Sequence, residues 1–257
     1  MKLKVDLNCD LGEGFGGFRV GNDAEMMPHI TSANIACGFH AGDPLVMADT
    51  IGLAKEHNVA VGAHPGYPDL QGFGRREMKL ACEEIKQYTL YQIGALQGFA
   101  KVAQIPLQHV KPHGALYNTA VKDEGTAEGI VEAVKAFDED LIVFAPSKSI
   151  LAKVTVNAGL RVACEFFADR AYNADGSLVS RQLPNSIIKD PKRLVERALK
   201  ALKESSVLSA DGKTVSLSEV HTICVHGDTP AAVRLVEALK KGLIAAGVEV
   251  KPVSSFI

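Results

Sequence analysis

Four histidines occupy equivalent positions in the sequence, each just after a short apolar run and beside glycine or proline. They are His40, His64, His113 and His226, half of the eight histidines in the chain. An apolar run that ends at glycine or proline is typical of a strand followed by a loop. Imidazoles gathered at strand ends could bind a divalent metal that activates water, or could transfer protons directly. A single histidine beside glycine is more often structural, but four in equivalent positions favour a catalytic site.

Acidic, amide and cationic side chains lie near the ends of the same runs and extend this set. We predict that Asp10, His40 and His64 form the core of the site, either as a metal triad or as a base with its orienting groups. His113 would act as a general acid or base, and Lys111 would stabilise negative charge on a reacting oxygen. Glu165 is predicted to complete the catalytic set: Asp10, His40, His64, Lys111, His113 and Glu165.

A second set of side chains is predicted to bind substrate: Asn8, Glu13, Asn34, Arg170 and His226. Arg170 is the candidate for a substrate carboxylate, because a guanidinium can pair with a carboxylate through two parallel hydrogen bonds. Asn8 and Asn34 could instead satisfy backbone groups in turns. Lys148 is interpreted as solvated surface.

The composition is typical of a globular enzyme and excludes several other classes. The chain has 257 residues, 47% of them hydrophobic and 23% charged, with a formal net charge of −2. This length suits an α/β barrel, which typically needs about 250 residues. Without a basic excess or tryptophan, nucleic-acid binding is not expected. The five cysteines include no CxxC pair, which favours a cytoplasmic protein without disulfides, and no apolar run is long enough to span a membrane.

Seven short apolar runs alternate with helical patterns along the chain. The predicted strands are Leu3–Asn8, Thr31–Ala36, Val59–Ala63, Leu107–Lys111, Leu141–Ala145, Leu160–Glu165 and His221–Val225. Several are apolar at nearly every position, as in parallel strands buried on both faces. We predict an α/β fold in one domain over residues 1–257: a seven-stranded (β/α) barrel that could be incompletely closed. An open doubly wound sheet is the alternative, but no GxGxxG sequence follows the first strand.

Six helices are predicted between the strands, and several begin with a capping residue followed by proline. They are Asp43–His57, Glu77–Gln104, Glu124–Phe137, Ser147–Ala158, Asp190–Glu204 and Thr229–Ala246. Val248–Val253 could be an eighth strand, although Pro252 would suit a central strand poorly. The long insertion Phe166–Asn185 could be a lid or a substrate loop. The turn at Asp211-Gly212-Lys213 predicts a small peripheral hairpin.

Six long motifs of this chain resemble the LamB/YcsF family. They are DLNCDLGEGFG (6–16), SANIACGFHAGDP (32–44), GAHPGYPD (62–69), VKPHGALYN (110–118), EFFADRAY (165–172) and VHGD (225–228). The resemblance implies a barrel of the glycoside hydrolase/deacetylase superfamily. It also implies the role of A subunit in a prokaryotic ATP-dependent 5-oxoprolinase, acting with subunits B and C. That enzyme opens the lactam 5-oxoproline to L-glutamate while ATP is hydrolysed to ADP and phosphate.

The implied coupling to ATP is chemically reasonable, because a five-membered lactam is a stable amide that water attacks slowly. Phosphorylating the amide oxygen would make the carbon a stronger electrophile. The sequence lacks GxxxxGK[ST], so contact with ATP would be unorthodox or shared with another subunit. Two alternatives stay open: an independent metal-dependent deacetylase or amidohydrolase acting on a small amide or sugar, and a non-catalytic regulatory subunit.

Overall fold

A closed barrel of parallel strands forms the centre of the molecule in the computed structural model, which describes residues 2–181, 183–227 and 231–257. The barrel strands, in spatial order, are β1 (Lys4–Leu11), β2 (Ser32–Ala36), β3 (Ala60–His64), β4 (Leu107–Val110), β5 (Ile142–Pro146), β6 (Arg161–Phe167) and β9 (Thr222–Cys224). Strand β9 pairs in parallel with both β6 and β1, which closes the ring. The predicted seven-stranded barrel is confirmed. The open-sheet alternative and the incomplete closure are wrong, because β9 bridges the edges that would otherwise be free.

In the described residues, three short strands lie outside the ring. Strands β7 (Ser206–Leu208) and β8 (Thr214–Ser216) form an antiparallel hairpin, as the Asp211-Gly212-Lys213 turn predicts. Strand β10 (Glu249–Val250) pairs in parallel with only two residues near the start of β1. The candidate eighth strand is therefore a short addition that ends before Pro252 and takes no part in closing the barrel.

The structure places eight α-helices in the described ranges: α1 (Asp23–Met26), α2 (Pro44–His57), α3 (Cys82–Ala103), α4 (Gly114–Ala120), α5 (Glu124–Phe137), α6 (Ile150–Asn157), α7 (Pro191–Glu204) and α8 (Ala232–Ala245). Short 3-10 turns cover Met27–His29 and Val253–Ser255. Six of these α-helices correspond to predicted ones, whereas α1 and α4 were not predicted. The predicted start of the last helix, at Thr229 and Pro230, lies outside the described residues. No helix in the described part of the chain is long and apolar enough to cross a membrane.

Capping explains where two helices begin. Helix α3 starts at Cys82 rather than at Glu77, because the Glu84 carboxylate accepts the Ala81 N–H, 2.8 Å away. Helix α6 starts at Ile150 because the Ser149 hydroxyl accepts the N–H of Ala152. Both devices satisfy backbone donors that a helix leaves unpaired at its first turn.

The two faces of β1 have opposite characters, and this alternation positions the site. Val5, Leu7, Cys9 and Leu11 belong to the apolar core. The residues between them, Asp6, Asn8 and Asp10, point to the other face, because successive side chains of a strand alternate. Hydrogen bonds to side chains of other barrel strands place this polar face inside the barrel.

Candidate active site

Four buried side chains converge where the barrel strands end. Glu13 lies in the loop after β1, His40 follows β2, His64 is the last residue of β3 and His113 follows β4. Their potential ligand atoms all lie within 4.8 Å of one another. Glu13 Oε1 is 3.2 Å from His40 Nε2 and 3.2 Å from His113 Nδ1. Three of the four histidines singled out by the sequence are thus brought together, with Glu13 at their centre.

The protonation of two of these rings follows from their backbone partners. His64 Nδ1 lies 2.6 Å from the Lys111 carbonyl oxygen, and His113 Nε2 lies 2.8 Å from that of Phe73. A carbonyl can only accept a hydrogen bond, so each of these nitrogens carries the proton. In the neutral rings His64 Nε2 and His113 Nδ1 therefore carry lone pairs, yet they are only 3.0 Å apart. This arrangement is stable only with a shared proton or a cation between the two nitrogens.

Two glycines make room for the stacked rings of His40 and His113, whose centroids are 3.7 Å apart. A Cβ atom on Gly66 would lie 2.6 Å from His40 Nδ1. A Cβ atom on Gly74 would lie 2.7 Å from the His40 Cβ and 2.9 Å from His113 Cδ2. Gly74 also has a φ of +61°, which glycine adopts without strain. Small residues in the loop after β3 are thus a steric requirement of the cluster.

Burial and neighbouring groups shift the pKa values in this cluster. Burial lowers the pKa of His40 to about 3, so its ring is neutral at neutral pH. Burial also lowers the pKa of His113. Burial alone would raise the pKa of Glu13, but the adjacent rings of His113 and His40 outweigh it and hold the pKa well below its usual range. At neutral pH the cluster therefore offers an ionised carboxylate and at least two neutral imidazoles, which suits a cation.

A second group of predicted residues forms a buried charge network in the barrel interior. Lys111 Nζ donates to Asp10 Oδ1 at 2.9 Å and lies 2.9 Å from Glu165 Oε1. Asn8 Oδ1 and Cys224 Sγ lie 3.1 and 3.2 Å from the same nitrogen. An ammonium group has three N–H donors, and these four acceptors occupy all of them. Lys111 can therefore act on a substrate through its charge, with no N–H left to donate to a reacting oxygen.

The two carboxylates of this network differ in how many of their oxygens are hydrogen-bonded within it. Glu165 Oε1 accepts from Asn8 Nδ2 at 3.0 Å, and Glu165 Oε2 accepts from the Tyr117 hydroxyl at 2.6 Å. Both oxygens of Glu165 are therefore occupied. Asp10 Oδ1 is likewise bonded, but Asp10 Oδ2 faces His64 Nε2 at 3.5 Å. Asp10 Oδ2 is the network oxygen that borders the histidine cluster.

The charges in the network reinforce one another. Burial would raise the pKa of Asp10, but the charges of His64 and Lys111 outweigh it, and the pKa lies well below its usual range. Burial would lower the pKa of Lys111, but the Asp10 charge outweighs it, and the pKa lies well above its usual range. Both groups are therefore ionised at neutral pH.

The polar network continues below the site towards the amino ends of the strands. Asn34 Nδ2 donates to Asn8 Oδ1 and Asp10 Oδ1, both at 2.8 Å, and Asn34 Oδ1 lies 2.7 Å from His109 Nε2. The predicted site residues Asn8 and Asn34 thus hold the charged groups in place from inside the barrel. Their side chains bond other side chains rather than the backbone groups of turns. Asp6 accepts hydrogen bonds from Ser32, Thr31 and Thr222.

His226, the fourth predicted histidine, lies beside the charge network and pairs with Asp169. Asp169 Oδ2 is 2.9 Å from His226 Nδ1 and accepts the backbone N–H of His226 at 3.2 Å. A ring nitrogen of His226, a carboxylate oxygen of Asp10 and Cys224 Sγ lie within 4.8 Å of one another. Asp228, the last residue of the VHGD motif, lies outside the described residues.

Arg170 occupies a different environment from the one expected of a ligand-binding arginine. Its Nη2 donates to the Val179 carbonyl at 2.7 Å, inside the long loop after β6, and its Nε is buried with no partner among the described residues. Lys148 is exposed and donates to Ser216, as expected of a surface lysine. Arg170 therefore organises the loop, and its predicted role in substrate binding stays a prediction.

Sequence reasoning missed several contributors to the site. Tyr117 lies in α4, one helical turn after the N-cap residue His113. That spacing could have indicated that the two side chains lie on the same face of the helix. Asp6 is an acid within an apolar run and precedes Asn8 and Asp10 at intervals of two, which could have indicated one polar strand face. The Phe73 carbonyl, which fixes the tautomer of His113, has no signature in the sequence.

A closed parallel (β/α) barrel with acids and histidines at the carboxyl ends of its strands defines a class of proteins whose functional sites lie at that end. Within this class, the chain belongs to the LamB/YcsF family, which matches residues 5–257. The chain is 53% identical over 255 residues to the A subunit of 5-oxoprolinase from Pyrococcus horikoshii, and the match covers 99% of this chain and 100% of that relative.

Two solved structures resemble this chain. The lactam utilization protein of Thermus thermophilus superposes with a TM-score of 0.91 at 48% identity, covering 97% of this chain and 99% of that chain. The catalytic domain of a peptidoglycan N-acetylglucosamine deacetylase from Eubacterium rectale superposes with a TM-score of 0.52 at 11% identity, covering 98% and 89% of the two chains. The second likeness concerns the fold alone, and it confirms the predicted deacetylase-like barrel.

Proposed function

We propose that this protein is the A subunit of an ATP-dependent 5-oxoprolinase and works with subunits B and C in the cytoplasm. Its reaction is the hydrolysis of the lactam of 5-oxoproline to L-glutamate, coupled to hydrolysis of ATP. The observation that carries the proposal is the buried Glu13–histidine cluster beside the Lys111 network. Two relatives that match nearly the whole chain, one named as the A subunit of 5-oxoprolinase and one as a lactam utilization protein, support the substrate.

The cluster fits a divalent metal ion by the chemistry of its donors. When both rings are neutral, two lone pairs face each other across 3.0 Å, and each ring donates its other N–H to a backbone carbonyl, an arrangement typical of metal-bound histidines. Glu13, His40, His64 and His113 would hold the ion, which replaces the predicted Asp10, His40 and His64 set. When bound, the ion would polarise a carbonyl or lower the pKa of water.

The residues around the cluster would orient and neutralise the reacting groups. Asp10 Oδ2 borders the cluster and can accept a hydrogen bond from water, while Lys111 balances the charge of the neighbouring carboxylates. Tyr117 and Asn8 hold Glu165 so that Lys111 stays in place. Because the sequence has no P-loop, we propose that the partner subunits take part in phosphorylating the lactam.

A reconstitution assay tests the proposed function. We expect 5-oxoproline-dependent release of ADP and formation of L-glutamate when this chain is combined with its B and C subunits, and neither product from this chain alone. A fully assembled complex that leaves 5-oxoproline unchanged would refute the proposal.

The same cluster supports a second candidate, a metal-dependent deacetylase or amidohydrolase that acts alone on a small amide or sugar. That candidate requires hydrolysis without ATP and without partner subunits. Assaying the isolated, metal-loaded chain against acetylated sugars and simple amides separates the two, because the 5-oxoprolinase proposal expects no turnover of these compounds.

Metal binding itself distinguishes the two ligand sets. We expect Co²⁺ to bind the isolated protein and give visible absorption bands of a histidine-ligated ion. Glu13→Ala should weaken binding at least about tenfold, whereas Asp10→Ala should weaken it less, since Asp10 lies beyond the cluster. If Asp10→Ala weakened Co²⁺ binding more than Glu13→Ala, the ligands would instead be Asp10, His40 and His64.

A further inference from the structure

His226 and Asp169 form a pair that the cluster does not use. Both oxygens of Asp169 lie close to His226 Nδ1, at 3.1 and 2.9 Å. Because a carboxylate only accepts, the proton of the neutral ring is on Nδ1, and Nε2 carries the lone pair. A carboxylate that fixes the tautomer and stabilises the charged ring in this way is the arrangement that equips histidine for proton transfer.

The position of His226 gives it access to a reacting group. Its side chain is 13% exposed, against 0%, 1% and 6% for His40, His64 and His113. Its ring stacks on Phe167 with centroids 5.6 Å apart, and Lys111 Nζ lies 5.4 Å from the centroid of the same Phe167 ring. His226 therefore borders the charge network on one side and reaches solvent on the other.

The proposed reaction has one step whose outcome depends on a proton. Water adds to the lactam carbon after its oxygen has received the phosphoryl group of ATP, and the new tetrahedral carbon holds a hydroxyl, a phosphate and the ring nitrogen. If the bond from this carbon to the phosphate oxygen breaks, the lactam re-forms and ATP is hydrolysed without formation of L-glutamate. If the carbon–nitrogen bond breaks, γ-glutamyl phosphate forms, and a second water hydrolyses it to L-glutamate and phosphate. Phosphate leaves readily as an anion, whereas the nitrogen leaves only when it takes up a proton.

We propose that His226, oriented by Asp169, is the acid–base catalyst that opens the ring by delivering this proton. The inference rests on the proposed function. Nε2 accepts a proton from the attacking water as the carbon–oxygen bond forms and the π electrons of the carbon–nitrogen double bond in the phosphorylated lactam move to nitrogen. It then returns that proton to the ring nitrogen as the carbon–nitrogen bond breaks and its electron pair moves to nitrogen. The remaining hydroxyl proton leaves for solvent as the carbonyl re-forms.

The ratio of L-glutamate to ADP in the reconstituted complex tests this assignment. For His226→Ala and His226→Gln we expect glutamate formation to fall about 100-fold, while 5-oxoproline-dependent ADP release falls much less. The ratio then drops far below that of the wild-type complex, and added imidazole partly restores it. Asp169→Asn should lower the ratio in the same direction. His57→Ala, at an exposed histidine near the end of α2, is the matched control and should keep the wild-type ratio.

Two other results would count against the assignment, and they are distinguishable. If the His226 variants keep the wild-type melting temperature and product ratio and only raise KM, His226 binds substrate and does not transfer the proton. If the wild-type complex itself makes no glutamate, the proposed function fails, and this inference fails with it.

Discussion

Lys111 is a cation enclosed by acceptors, and at the scale of single residues it holds the charge network together. Its ammonium lies between the carboxylates of Asp10 and Glu165, and all three side chains are largely or fully buried. A buried ion pair adds little net stability, but removing one partner leaves an uncompensated charge in a medium of low polarity. The network should therefore tolerate loss of its cation poorly.

We predict that Lys111→Met lowers the free energy of unfolding by about 3–5 kcal/mol, because two buried carboxylates lose their counter-charge. Urea denaturation at neutral pH measures this loss. Lys148→Met, at an exposed lysine, should change stability by less than about 0.5 kcal/mol. Equal effects of the two substitutions would contradict the assigned role of Lys111.

Asp6 predicts a pH dependence of stability. Burial raises the pKa of Asp6 in the folded protein to about 6, against 3.8 for an ordinary carboxyl. The folded state thus binds the proton more tightly, so the stabilisation is complete below pH 3.8 and is lost as the pH rises through about 6. Relative to Asp6→Asn, the wild-type protein should lose roughly 3 kcal/mol across this window. A difference in unfolding free energy that stays constant with pH would contradict the prediction.

The loops after the strands set the geometry of the site at the scale of elements. The loop after β3 contributes the Phe73 carbonyl and passes so close to His40 and His113 that Gly74 has no room for a side chain. The site thus depends on backbone approach as well as on the residues that bear its chemistry.

Gly74→Ala should therefore weaken Co²⁺ binding at the cluster and lower the melting temperature. Gly212→Ala is the matched control: Gly212 also has a positive φ, +81°, but a Cβ there meets nothing within 4 Å. Both variants carry the backbone strain of a positive φ, which costs about 1–3 kcal/mol. Only Gly74→Ala should also displace the rings, and equal Co²⁺ affinities in the two variants would show that the crowding is unimportant.

The elements themselves were largely predictable. Runs such as Val59–Ala63 are apolar on both faces, and helix starts such as Asp43-Pro44 combine a cap with proline, so strands and long helices follow from local chemistry. Helix α4 was not predicted, because its seven residues, Gly114–Ala120, are too few for a clear periodicity. Closure of the barrel by β9 was also not determined by the sequence, since it depends on pairing between strands that are distant in sequence.

For the candidate site, the sequence predicted which residues lie near one another better than it predicted their contacts. The histidines were found because residue type and strand-end position coincide at each of them. The position of Glu13 between the three rings was not predicted, since it depends on how the glycine-rich loop folds back. Asp10 instead pairs with Lys111, which lies 101 positions away in sequence.

The whole molecule combines a rigid barrel with a site that we assign to a larger assembly. Polar side chains run through the barrel interior from Asp6 to the Lys111 network, while the apolar core stabilises the barrel from outside. The histidine cluster is fixed to this frame by backbone carbonyls and by the network. An intact fold without the cluster should therefore still assemble with partner subunits but fail in catalysis.

The most direct test is the initial rate of L-glutamate formation from 5-oxoproline and ATP by complexes rebuilt with the wild-type or the Glu13→Ala chain. The account predicts glutamate from the wild-type complex and a rate at least about 100-fold lower from the variant, with unchanged assembly of the complex. Equal rates in two fully assembled complexes would contradict the claim that the Glu13–histidine cluster is the catalytic centre.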